Sequence, residues 1–338
     1  MRESWVDYAK GIGIILVVFG HVNRGLYSAG IHVSEATYQQ LDSIIYSFHM
    51  PLFFFLSGLF FTSSLAHRGK RKFIINKIDT IVYPYIIWSL LQGTIEVFLS
   101  RYTNNPASFS DIFSLFAHPR AQFWFLYALF MVFVVAALLY HKQHFSLILP
   151  ILLLISIGLY LYQNAIGHVF HIDYITRFMV FFLLGALAIR YSSLIASLTF
   201  PATALLAILF VIAEWVFHSY LHLNYTQVGF LSLLLAVVAI AFITSLSVQL
   251  SHLNWRWLQR LGELSMVIYL MHILAGSGLR IILSKGLHID SWLIQAVAGT
   301  LFGLIAPIVA YSIIQRLNLN FLLERPRTRS SSRTAPRH

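Results

Sequence analysis

Apolar runs of roughly twenty residues recur along the chain, separated by short polar or basic stretches. At the length a helix needs to cross a bilayer, they predict ten spans. These centre on residues 6–22, 42–62, 74–99, 121–140, 146–162, 174–190, 199–218, 227–248, 265–284 and 291–315. All are of helical rather than strand length, which disfavours a barrel. The gaps between them are short, the longest at 100–120, and hold no soluble domain. No repeat of clear period stands out, nor any inverted pair of Gly/Pro-broken segments of the transporter kind. The predicted fold class is therefore all-α, a polytopic membrane helix bundle of about ten transmembrane helices. It occupies residues 1–316, and 317–338 form a basic, disordered tail rich in Arg, Ser and Pro.

Composition agrees with this pattern. The 338 residues are 58% hydrophobic and only 10% charged, with a mean hydropathy of +0.75. Such a chain aggregates in water but buries itself in lipid. Cysteine is absent, which excludes thiol catalysis and a disulfide framework.

The formal charge of +11 is unevenly spread. Five of the 23 Lys and Arg lie between Arg68 and Lys77, and five more in the tail ERPRTRSSSRTAPRH. Ten spans put both termini on one side. The basic loop 63–73, Lys142, Arg190, Arg256, Arg260 and the tail then share that side, while the opposite loops keep Arg24, Arg101, Arg120 and Lys285. The bias assigns both termini to the cytoplasm. It also accounts for the basic clusters without nucleic acid. The N-terminus, MRESWVDYAK, carries acids as well as bases, and the first run ends in His and Asn rather than at a small-residue cleavage site. The first helix is expected to stay.

Candidate chemistry begins on that helix, in DYAKGIGIILVVFGH. Ten residues without a polar side chain separate Lys10 from His21. Eleven helical steps turn about 1100°, about 20° past three full turns, and rise roughly 16 Å. Lys10 and His21 therefore share one face at different depths, with Asp7 one turn below Lys10. Ionisable groups inside a membrane are costly and usually face an interior cavity. An interfacial Lys10–Asp7 pair, with Lys10 snorkelling and His21 at the outer edge, is the plainer alternative. The second span holds YSFHMPLFFFLSGLFF. His49 precedes Pro51, which frees the carbonyl of Ser47. Two histidines near one depth suggest a proton-handling site; the alternative is a His bonded to a freed carbonyl.

Five segments, in order, carry a resemblance. They are DYAKGIGIILVVFGH, FHMPLFFFLSGLFF, FWFLYALF (Phe123 to Phe130), RFMVFFLLGAL (Arg177 to Leu187) and LGELSMVIYLMH (Leu261 to His272). Over residues 5–316 the chain resembles the acyltransferase-3 family of integral membrane acyltransferases, especially its fucose 4-O-acetylase-like branch. Lys10 and His21 match the family's basic residue and histidine, although many members have Arg where Lys10 stands. Arg grips phosphate with a bidentate fork that Lys lacks. The family's Ser-Gly pair falls on Ser57 and Gly58.

The resemblance implies transfer of an acetyl or other short acyl group from cytoplasmic acyl-CoA, here acetyl-CoA, to a hydroxyl of a surface carbohydrate or its lipid-linked precursor. The setting it implies is the inner membrane of a bacterium. A sugar hydroxyl needs a base with a pKa near 7, and His21 is expected to be that base. Lys10 is expected to meet the donor, Asp7 to hold Lys10, and His49 to act as a second acid/base or orienting partner. Ser57, Trp124, Arg177 and His272 are the expected substrate contacts. Trp124 also fits an aromatic belt and Arg177 an interfacial charge; Glu263 reads as a helix-start charge.

The close histidine pairs HKQH, HVFH and HSYLH (His218, His222) invite a metal reading. No carboxylate or Cys is expected beside them at ligand spacing, and no metal is expected. The rival function is a transporter or flippase with Lys10, His21, His49 and Arg177 as its pathway.

Overall fold

The computed structural model describes residues 4–98, 119–166 and 171–326. Among them every regular element is helical: α1 Ser4–Ser28, α2 Glu35–Leu59, α3 Phe61–Arg68, α4 Lys70–Lys77, α5 Tyr83–Phe98, α6 Trp124–Leu139, α7 Phe145–Leu161, α8 Ile172–Ala188, α9 Phe200–Trp215, α10 Phe230–His252, α11 Arg256–Glu263, α12 Ser265–Ile281 and α13 Trp292–Arg316, with a few shorter turns between. Nine helices among the described residues, counting continuous runs, are long and apolar enough to cross a membrane. The fifth predicted span, α7, is apolar but has 17 residues. At 1.5 Å per residue that is about 25 Å, short of a typical ~30 Å hydrocarbon layer. The polytopic helical bundle expected from the sequence is the fold observed.

The hub is α1, which packs on α2, α10, α11, α12 and α13. A second layer joins α2 to α8, and α8 to α6 and α7. α9 and α13 lie outside and turn large apolar residues outward, among them Leu205, Ile208, Leu301 and Ile305. In lipid such a surface costs nothing, whereas backbone groups must be bonded internally, which the helices do.

Without a hydrophobic drive between helices, close packing of small residues holds such bundles together. A Cβ on Gly58 would lie 1.9 Å from the Phe182 carbonyl oxygen, and one on Gly185 would lie 2.0 Å from that of Phe55. These reciprocal glycines lock α2 to α8. At the other crossing, a Cβ on Gly262 would lie 1.7 Å from the Asp7 carbonyl oxygen. This contact clamps α11 against the turn of α1 that bears Asp7 and Lys10.

Several expectations need correction. The basic stretch expected as loop 63–73 is helical, forming α3 and the start of α4, broken only at Gly69 with φ 73°. Positive charge keeps a segment out of hydrocarbon but does not keep it from being a helix. Arg24 is not a loop residue: α1 runs on to Ser28, so His21 lies two turns inside the helix end and Arg24 one turn inside. Residues 320–325, expected to be tail, meet α5 and the turn before it. Tyr83 Oη and Trp88 Nε1 donate to the carbonyls of Phe321 and Leu322, and Arg325 pairs with Asp79. The rest of the tail lies outside the described residues.

Candidate active site

One stripe of α1 carries Asp7, Lys10, Ile14, Val17, His21 and Arg24, at alternating steps of three and four. Its lower half walls a slot of about 320 Å³ between α1, α2, α6 and α12. Lys10, Ser57, Lys77 and Ser265 line it, all at the end of the bundle where α1 begins. Lys10 Nζ lies 3.7 Å from Asp7 Oδ1, whose side chain is buried. Lys77 Nζ sits 3.9 Å from the Phe133 ring centroid, so its charge faces an aromatic surface. Away from those polar residues the lining is apolar and includes Val17, Met50, Phe125 and Tyr269.

One turn beyond Val17 and Tyr269, on the same two helices, stand His21 and His272. Their ring centroids are 5.0 Å apart, edge to face. Tyr46 lies 6.2 Å from His21 and 4.4 Å from His49, linking the third imidazole to the pair. The Nδ1 atoms of His21, His49 and His272 sit 2.9, 2.6 and 2.8 Å from the carbonyls of Val17, Ile45 and Tyr269. A carbonyl only accepts, so each Nδ1 is assigned the proton. Each neutral ring then carries its basic lone pair on Nε2. The Nε2 atoms of His49 and His272 are buried without a hydrogen-bond partner among the described residues. The carbonyl that engages His49 is that of Ile45, one turn before it, and not the Ser47 carbonyl freed by Pro51.

Two further chambers flank this cluster at the other end of the bundle. The first, about 160 Å³, lies between α1, α12 and α13 and is lined by His21, His272, Ser277, Arg280 and Gln295. The second, about 250 Å³, holds Trp124 and Arg177 with Arg24, Tyr46, Tyr174 and Tyr225. There Trp124 stacks on Tyr174 with centroids 5.7 Å apart, and Arg177 Nη2 donates to the Tyr225 carbonyl at 3.1 Å. Arg24 Nε and Nη2 grip Asp42 at 2.6 and 2.8 Å, and its guanidinium lies 3.3 Å from the Tyr46 ring centroid.

The structure thus gathers Lys10 and Ser57 in the slot, His21 and His272 in the first chamber, and Trp124 and Arg177 in the second. His49 is fully buried behind Tyr46 and lines none of these three cavities. Tyr46, Arg24, Lys77 and Arg280 were missed by sequence reasoning. Arg24 continues the α1 stripe one turn past His21. Asp42, Tyr46 and His49 form a stripe of their own on α2, at i, i+4 and i+7. Both periodicities were available in the sequence. The nearness of Arg280 to His21 was not.

Among the described residues no group of three or more His, Asp or Glu could hold a metal ion. The reading of HSYLH needs one correction. Glu214 stands one turn before His218, and its Oε2 lies 3.0 Å from His218 Nδ1, while Ser43 Oγ meets His218 Nε2 at 2.8 Å. His168, of HVFH, lies outside the described residues.

The model of the family described as acyltransferase domain matches residues 3–312. Two curated relatives are similar over part of the chain. Nodulation protein NolL of Mesorhizobium japonicum is 27% identical over 139 residues, 41% of this chain and 36% of that protein. Nodulation protein NolL of Sinorhizobium fredii is 24% identical over 145 residues, 40% of this chain and 36% of that protein. The chain thus spans about a third of the length of the curated relatives it matches. No solved structure matches the chain significantly.

Proposed function

Because the chain belongs to the acyltransferase domain family, we propose that it moves an acetyl or other short acyl group from acyl-CoA to a carbohydrate hydroxyl across a bacterial inner membrane. Both termini and the mouth of the slot face the cytoplasm in this reading, which takes the short apolar α7 as the tenth crossing. One observation carries it. The slot reaches Val17 and Tyr269, and the first chamber begins at His21 and His272, a single turn further along the same two helices. The imidazole pair therefore stands where two spaces from opposite ends of the bundle converge.

Acyl-CoA enters the slot with its phosphates toward Lys10 and Lys77. The apolar interior takes the acyl chain and thioester, excluding water that would hydrolyse it. The acceptor hydroxyl meets His21 from the first chamber. His21 Nε2 takes the hydroxyl proton as the oxygen attacks the thioester carbonyl. The C–S bond breaks, and the proton passes to the leaving thiolate, giving an ester and free CoA. The Nδ1–H bond to the Val17 carbonyl holds the tautomer that this step requires. His272 and Tyr46 fix the ring from either side, and His49 supports Tyr46 from behind. Trp124 and Arg177, beyond Tyr46, hold a flanking part of the same glycan. Asp7 holds Lys10 in place, and Ser57 contacts the donor.

The test is acyl transfer from radiolabelled acetyl-CoA in membranes containing His21→Ala at wild-type abundance. Loss of label from the glycan fraction is expected, by about 10²-fold or more for removal of a general base. Wild-type labelling by this variant would overturn the proposal.

A further inference from the structure

Arg280 is the charged residue of the first chamber that the mechanism above leaves unused. It lies two turns beyond His272 on α12, roughly 12 Å along the axis. No ion pair engages it among the described residues, and its Nε is buried without a hydrogen-bond partner. No Asp or Glu lines the chamber; Asp290, on the nearby connection, is exposed and outside it. Arg24, one turn past His21, offers the contrast, since Asp42 already neutralises it.

A cation within a spanning helix ordinarily finds a carboxylate, a carbonyl or a functional anion. Snorkelling to headgroups would explain Arg280 alone, but it does not explain the chamber's other polar atoms. Gln295 and His272 are each 1% exposed. Gln295 Nε2 donates to the Ile289 carbonyl at 2.6 Å and to Ser284 Oγ at 2.8 Å, which fixes the amide orientation. Its Oε1 is then a buried acceptor without a partner among the described residues, as is His272 Nε2. One cation and two unmatched acceptors line a single space whose inner end is His21.

We propose that the acceptor sugar is anionic, carrying a carboxylate or phosphate that Arg280 binds while a ring hydroxyl donates to Gln295 Oε1 and the hydroxyl to be acylated lies at His21. This inference rests on the acyl-transfer reading. It makes Arg280 the specificity determinant for charge, through the strong geometry of Arg with oxyanions.

Binding to the purified full-length protein in nanodiscs tests it independently of turnover. The probes are methyl β-glucuronide, glucose 1-phosphate and the neutral methyl β-glucoside. At least one anionic probe is expected to bind about tenfold tighter than the glucoside; which one identifies the carboxylate or phosphate source. Arg280→Gln should abolish that preference, and Arg280→Lys should keep part of it. In the transfer assay Arg280→Gln should raise KM for the anionic acceptor more than Arg280→Lys does. Equal binding of all three probes by the wild type overturns the proposal, as does a preference that survives Arg280→Gln. If Arg280→Gln does not fold, the wild-type comparison and Arg280→Lys decide. Failure of His21→Ala to stop transfer would instead sink the acyl-transfer reading while leaving the binding preference measurable.

Discussion

Neutralising one member of the Arg24–Asp42 pair should damage the protein more than removing both charges. Asp42 is 7% exposed and accepts two guanidinium hydrogen bonds, at 2.6 and 2.8 Å. The pair ties α1 to α2 one turn beyond His21. Breaking a fully buried ion pair from one side typically costs about 3–5 kcal/mol, because the remaining charge stays desolvated. Arg24 retains 32% side-chain exposure, and its contacts with Tyr225 Oη and the Tyr46 ring persist. A cost of roughly 2–3 kcal/mol for Asp42→Asn is therefore expected. The double variant Arg24→Gln/Asp42→Asn leaves no stranded charge and should cost no more than the worse single variant, giving a coupling energy of about 2 kcal/mol. Unfolding in mixed micelles, followed by Trp fluorescence with linear extrapolation in denaturant, measures all four corners of the cycle. Additivity within about 0.5 kcal/mol would refute the reasoning, because it would mean that the two groups do not depend on each other.

Two other perturbations follow from geometry. Gly58→Val places a branched side chain where even a single Cβ would lie 1.9 Å from the Phe182 carbonyl oxygen; α2 and α8 must separate, and the thermal midpoint should fall by several degrees, with an unchanged midpoint counting against the close crossing. Lys10→Gln should raise KM for acetyl-CoA about tenfold through loss of a charge-assisted contact, while Lys10→Arg should stay near wild type; an unchanged KM in Lys10→Gln would remove Lys10 from donor binding.

Most of the fold could be read from the chain. A spanning helix announces itself by length and hydropathy, because the bilayer supplies the thickness and forbids unbonded backbone. The errors came where that rule stops. It says where hydrocarbon ends and does not say where a helix ends, so most of α3 and the start of α4 read as a loop and the last two turns of α1 are lost. With those turns went the place of Arg24. A charge at the end of an apolar run looks like loop solvation; here it closes a hydrogen-bonded pair inside the bundle.

The site was readable one helix at a time and no further. Helical periodicity aligned Asp7, Lys10 and His21 without any knowledge of neighbours, because all three positions share one backbone. It applies equally to Asp42, Tyr46 and His49, but Tyr46 is one aromatic in a chain that is 15% aromatic, and nothing local distinguishes it. What no periodicity contains is the pairing of His21 with His272, set by how α1 and α12 pack across some 250 intervening residues. That packing depends in turn on positions with no side chain. Gly262 lets α11 seat against the Asp7 turn, and α12 begins three residues later at Ser265. Moving that seat by the ångström or more that a Cβ demands would shift Tyr269 and His272 relative to Val17 and His21. Those four residues stand at the slot's inner lining and at the first chamber, so a glycine outside all three cavities governs whether the two spaces meet.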